Sequence, residues 1–150
     1  ATSAEDGSFS FSNVPYGNWV LKELENKKIP TQQIAGSTGN WEKNQANVIV
    51  RQWMKEYPNQ IEVIISNNDD MALGVYDYYK QHNLKLPLIL GINNSPEMNQ
   101  KIQAGEIYGT VDNGTNDQIS YICKLLNDIL NKDTAKYHKI WYSKPFAIEK

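Results

Sequence analysis

Amide and carboxylate side chains cluster at three places in this chain, each directly after an apolar run of the kind that makes a strand. Glu62–Ser66 runs into Asn67, Asn68, Asp69 and Asp70; Leu86–Ile92 runs into Asn93, Asn94 and Ser95; Ile107–Val111 runs into Asp112, Asn113 and Gly114. An asparagine amide carries donors and an acceptor on one planar group, which matches a pair of adjacent hydroxyls. In open parallel sheets, ligands bind in the crevice beyond the carboxyl ends of the strands. Three neutral-to-acidic clusters at those ends describe a polar pocket that is not built for phosphate. Asn, Asp and Ser are also preferred helix N-caps, which accounts for one such residue per junction. Capping accounts less well for runs at all three.

Other chemistries find little support. Gly36-Ser37-Thr38-Gly39 has neither the lysine of a P-loop nor the spacing of a dinucleotide fingerprint and reads as a plain loop. Asp69 and Asp70 are adjacent, so their side chains point apart and one of them suits a helix start. No nucleophile elbow or triad spacing is present. The stretch from Asp112 to Asp117 lacks the Gly and Glu positions of a calcium loop. His82 and His138 have no second ligand at metal spacing, and the single cysteine, Cys123, allows no internal disulfide. The expectation is no enzyme, no metal and no cofactor. Cys123 shares a helical stripe with Ile119, Ile122, Leu126 and Leu130, which predicts a buried thiol. Among the tryptophans, Trp53 lies on an apolar stripe and reads as core. Trp41 opens its helix off that stripe, level with the strand ends, where an indole face can stack on an apolar ligand face.

The elements that must position these groups alternate helix and strand. After a poorly defined segment, residues 1–12, Asn13–Lys28 reads as a helix with Tyr16, Val20 and Leu24 on one face. A short strand is expected at Gln32–Ala35, then a helix over Trp41–Tyr57, stopped by Pro58-Asn59. Strand Glu62–Ser66, helix Asp70–His82, strand Leu86–Ile92, helix Pro96–Ala104, strand Ile107–Val111 and helix Thr115–Asn131 follow, with an extended tail over Tyr137–Ile148. This order implies βαβ units with right-handed crossovers, and the near-continuous apolar strands imply a sheet covered on both faces. We read an α/β fold with a doubly wound parallel sheet in one domain, residues 13–150.

Bulk composition agrees. A net charge of -2, with Lys27-Lys28 as the densest basic stretch, argues against a nucleic-acid partner. No apolar run approaches the ~20 residues that span a bilayer.

Several segments together resemble the C-terminal lobe of the type I periplasmic sugar-binding proteins, nearest the galactose/glucose-binding kind. They are Val20-Leu21-Lys22-Glu23-Leu24, Gly39-x-Trp41-Glu42 with Ala46, Val50 and Trp53, Ile65 to Gly74 (Ile-Ser-Asn-Asn-Asp-Asp-Met-Ala-Leu-Gly), Gly91-Ile92-Asn93, and Gly109-Thr110-Val111-Asp112-Asn113. The resemblance spans roughly Asn13 to Ile148. It implies a single lobe of a type I periplasmic-binding-protein fold that binds a monosaccharide, with Trp41 stacking and Asn68, Asn93 and Asn113 hydrogen bonding. Tyr16 and Asp69 complete the expected ligand-facing set. The chain departs from the galactose/glucose kind in having Asn93 where that kind has Asp. It also has Ser10, Ser12 and Tyr16 where that kind has a His-x-Asp…Arg group. Glu62 stands at a distant calcium-ligand position without its partners.

The resemblance further implies an extracytoplasmic protein, lipid-anchored at full length, that delivers sugar to the permease of an ABC-type transporter. A sensing domain of a receptor kinase, chemoreceptor or lac-repressor-type regulator shares the fold and stays open. Only one of the family's two lobes is recognisable, which suggests a fragment. Homodimerisation through the exposed lobe face is a further expectation.

Overall fold

The structure, a computed structural model, describes residues 26–132 and 145–149. The elements are α1 (Lys43–Glu56), β1 (Val63–Ile65), α2 (Asp69–Gln81), β2 (Leu88–Ile92), α3 (Pro96–Gln103), β3 (Gly109–Asp112), α4 (Thr115–Leu130) and β4 (Phe146–Glu149). The strands lie in the order β1-β2-β3-β4. β1, β2 and β3 pair in parallel, Val63 opposite Leu88 and Leu90 opposite Gly109. β4 is antiparallel to β3, with Thr110 opposite Ile148. An open, mostly parallel sheet with one antiparallel edge strand is a common α/β arrangement.

Because the sheet advances in one direction, right-handed crossovers put α2 and α3 on the same face. That face carries Ile64, Ile89, Gly91, Thr110 and Asp112, all buried. α2 lies between the sheet and α1. Its residues Ala72, Leu73, Val75, Tyr76, Tyr78 and Tyr79 are buried together with Ala46 and Val50 of α1 and Met98 and Ile102 of α3. Gly74 makes the α1–α2 approach possible, because a Cβ there would collide with the Lys43 carbonyl. Lys43 Nζ reaches Asp77 and Glu97, each at 3.0 Å, and ties α1 to α2 and α3. At that exposure the pairs contribute at most about 1 kcal/mol.

The structure differs from the sequence expectations at several points. Gln32–Ala35 forms no strand; a strand exists only where another accepts its ladder, and β1 pairs with β2 alone among the described residues. Trp53 is half-buried, since Ala46, Val50 and Met54 take the inner face of α1. Cys123 is exposed, and α4 buries no residue. Ile119, Ile122, Leu126 and Ile129 on that helix are exposed, as are Val63, Leu88 and Val111 on the other sheet face. Of the expected tail, only β4 falls within the described residues; Tyr16, His138 and most of the first expected helix lie outside them.

Candidate functional site

Each of the three parallel strands ends at one edge of the sheet, and the asparagine clusters follow there. The loop before α1 joins them. Asn40 and Trp41 both adopt left-handed backbone, with φ of 49° and 67°. Asparagine tolerates that region, whereas for tryptophan it is an outlier that the surroundings must hold. The hold comes from Glu42 N donating to the Gly39 carbonyl at 2.9 Å, Asn40 Nδ2 donating to Gln45 Oε1 at 2.9 Å, and Asn68 Nδ2 donating to the Trp41 carbonyl at 3.2 Å. The constrained backbone leaves Trp41 62% exposed.

Asn68 does two structural jobs at the end of β1. Its Oδ1 accepts from Met71 N at 3.0 Å, which caps α2, while its Nδ2 holds the Trp41 loop. Ser66 Oγ donates to the Asn68 carbonyl at 2.8 Å and fixes the turn. The capping reading of Asn68 is thus what these bonds show. Asn68 is buried, with its amide committed to protein.

Asn93 and Asn113 are placed differently. Asn93 N donates to the Val111 carbonyl at 2.9 Å, which extends the β2–β3 ladder by one bond. Asn113 Nδ2 donates to Asn93 Oδ1 at 3.3 Å, so the two amides pair across neighbouring strand ends. Thr115 Oγ1 donates to Asn113 Oδ1 at 2.6 Å, and Gln118 Nε2 to its carbonyl at 3.0 Å. Asn93 is exposed and Asn113 half-buried, so this pair faces outward.

Asp69 does not face outward. It is 1% exposed, with Oδ1 accepting from Thr110 Oγ1 and Oδ2 accepting from Ser95 N, both at 2.6 Å. Both oxygens are occupied by protein donors, which corrects its expected ligand-facing placement. Asp69 is the first residue of α2 and points across Gly91, where the absence of a Cβ leaves room for the carboxylate to reach Ser95 and Thr110. Asp112, absent from the expected set, is built the same way. Its Oδ1 accepts from Gly114 N at 2.6 Å and its Oδ2 from Asn94 Nδ2 at 2.7 Å. Position in the cluster was the only signal that could have found it, since an aspartate before Asn-Gly reads as a turn residue.

Burial pushes the Asp69 carboxyl above the usual aspartate range, with Asp70 adding repulsion; the bonds from Ser95 and Thr110 pull it part of the way back. The folded chain therefore binds this proton more tightly than the unfolded chain does. Stability falls as pH rises from the ordinary aspartate value through the raised folded one, and the charged form is a constant cost above that. Asp69→Asn should remove this slope, and at neutral pH it should be at least as stable as the wild type. Urea midpoints between about pH 3 and about pH 7 check this; an unchanged slope in the variant would place the titration elsewhere.

Among the described residues, no three His, Cys, Asp or Glu side chains gather as a metal site. No helix among them is long and apolar enough to cross a membrane.

Comparison with known proteins places this edge in context. A sequence model of the periplasmic binding protein domain matches residues 15–134. The D-galactose/methyl-galactoside binding periplasmic protein of Haemophilus influenzae is 40% identical over 124 residues, covering 82% of this chain and 37% of that protein. The xylitol-binding protein of Mycolicibacterium smegmatis is 29% identical over 83 residues, 55% of this chain and 24% of that protein. In structure, the chain resembles the Caulobacter myo-inositol binding protein (TM-score 0.77, 23% identity, 87% of this chain and 44% of that one). It also resembles an ABC transporter periplasmic solute binding protein from Actinobacillus succinogenes with bound D-allose (TM-score 0.75, 21% identity, 93% and 50%). The chain thus spans half or less of the length of each protein it matches.

Proposed function

This chain belongs to the periplasmic binding protein domain family, and on that premise we propose that residues 13–150 act as a non-enzymatic monosaccharide-binding lobe. The carrying observation is the shared sheet edge of the exposed Trp41 and the Asn93–Asn113 pair, of which Asn93 is exposed and Asn113 half-buried. An indole face packs against the C–H face of a pyranose, and an amide supplies donors and an acceptor to neighbouring hydroxyls. Asn68 contributes by holding the Trp41 loop. No nucleophile or metal is needed for reversible binding. Placing Asn93 where the galactose/glucose kind has a carboxylate removes a charged acceptor, which favours a ligand whose hydroxyls can both donate and accept there. In the full-length protein the lobe would work outside the cytoplasm, tethered by lipid, and pass sugar to an ABC-type permease.

The test is calorimetric titration of the chain with a monosaccharide panel that begins with D-galactose. Trp41→Ala should weaken the heat-producing sugar by roughly tenfold or more, as loss of an aromatic anchor does. The folded chain should hardly notice, because Trp41 is largely exposed. Binding that is indifferent to Trp41→Ala, or no binding to any sugar of the panel, counts against the reading.

A further inference from the structure

The loop that carries Asn93 is built under strain. Asn93 has φ of 124°, outside the left-handed region that asparagine tolerates, and Asn94 follows it within that region at 63°. Such backbone persists only where neighbours over-determine it. Two carboxylates do so here. Asp69 accepts from Ser95 N, just after these two residues, and from Thr110 Oγ1 on β3. Asp112, at the end of β3, accepts from Asn94 Nδ2 and from Gly114 N. Asn94 Oδ1 in turn accepts from Asn99 Nδ2 on α3. Asp69 and Asp112 are both buried, and every one of their four oxygens has a donor on it. Charge-assisted bonds of this kind are about twice as strong as neutral ones.

Resting on the carbohydrate-binding reading, we propose that Asp69 and Asp112 are positioning residues. They grip the Asn93–Ser95 loop from its two sides and thereby fix the Asn93–Asn113 amide pair in the geometry that meets the sugar. Neither carboxylate touches the ligand. The two grips differ in a way that can be read out. The Thr110 hydroxyl can rotate to accept, so an amide at position 69 keeps both bonds: its oxygen to Ser95 N, its NH2 to Thr110 Oγ1. At position 112 the Gly114 N–H can only donate, so an amide oxygen must stay on it and the NH2 must face Asn94. That NH2 meets an acceptor only if the Asn94 amide turns over, which takes its oxygen from Asn99 and forces that side chain to turn as well, so the exchange at 112 disturbs the Asn94 grip where the exchange at 69 does not.

The experiment follows the Asn93 and Asn113 side-chain amide NMR signals of the whole chain, together with calorimetric affinity for D-galactose. Asp112→Asn and Asp69→Ala should bring both signals to the positions of solvent-exposed asparagine and weaken D-galactose roughly tenfold or more, the size of one unsatisfied buried donor. Asp69→Asn should leave the signals in place and the affinity within about threefold. If Asp69→Ala does not fold, the contrast between Asp112→Asn and Asp69→Asn still decides. A folded Asp112→Asn with unmoved signals overturns the proposal, as does Asp69→Asn that disturbs the pair. Should the wild type itself ignore D-galactose, the functional reading suffers, and the amide signals alone judge the grip.

Discussion

Gly74→Ala is expected to destabilise the chain by about 3 kcal/mol or more, although alanine is the better helix former. On an exposed helix the exchange would gain up to about 1 kcal/mol. Here the added methyl meets backbone, the Lys43 carbonyl, and then the Ala46 side chain at 3.2 Å. Neither can swing away as the tip of a flexible side chain would. α1 must therefore shift off α2, which opens the contact where Val50 and Leu73 are most deeply buried and lengthens the Asn47 Nδ2 bond to the Gly74 carbonyl, now 3.3 Å. A urea unfolding curve gives the answer. A midpoint equal to or above that of the wild type would mean that the helix pair is looser than the structure shows.

Gly91→Ala should damage stability and site together. A methyl at this position runs into Asp69 Oδ1 and the Met98 side-chain end. Met98 is flexible and can yield, though it is fully buried. The carboxylate cannot yield without giving up Thr110 or Ser95. We expect a loss of about 2–3 kcal/mol, made of overpacking and one unsatisfied buried group. A fall in affinity for any sugar the wild type binds should accompany it. Paired unfolding and titration experiments separate the parts: lost stability with intact affinity would show Met98 absorbing the methyl and Asp69 staying in place.

How much of this was legible in the residues depends on which kind of neighbour decides. Asn68, Asn93 and Asn113 were found at the strand ends because local pattern determines where a strand stops and a helix begins. The α2 core, Ala72, Leu73, Val75, Tyr76 and Tyr79, follows from near-continuous apolar sequence. Orientation is another matter. Asn68 and Asp69 are adjacent in the same cluster, yet both point inward, and only Thr110 and Ser95, far away in sequence, determine that for Asp69. Asp112 stood in the third cluster with nothing to single it out, and its role depends on Asn94 from the neighbouring strand end. The expectation for Cys123 failed differently. Helical spacing says which residues share a face, and it was right that Ile119, Ile122 and Leu126 line up with Cys123. It cannot say whether anything packs on that face, and α4 buries none of them. Gln32–Ala35 has strand composition and no ladder partner, and composition alone does not make hydrogen bonds.

The reversed direction of β4 bears on how the sheet can assemble. Residues paired between β1 and β2, or between β2 and β3, are linked by one short helix and its loops. Those paired between β3 and β4 stand farther apart along the chain, with α4 and everything up to Phe146 between them. Loop-closure entropy rises with that separation, so β4 is the costliest neighbour to recruit and contributes nothing to the nearer pairings. The three parallel strands, which carry every asparagine of the candidate pocket, belong to the part of the chain with the shorter closures. β4 then lies along the far edge of β3, close enough that Gly109 must be glycine beneath the Ile148 carbonyl, and it occupies backbone groups that would otherwise be open to a strand from another molecule.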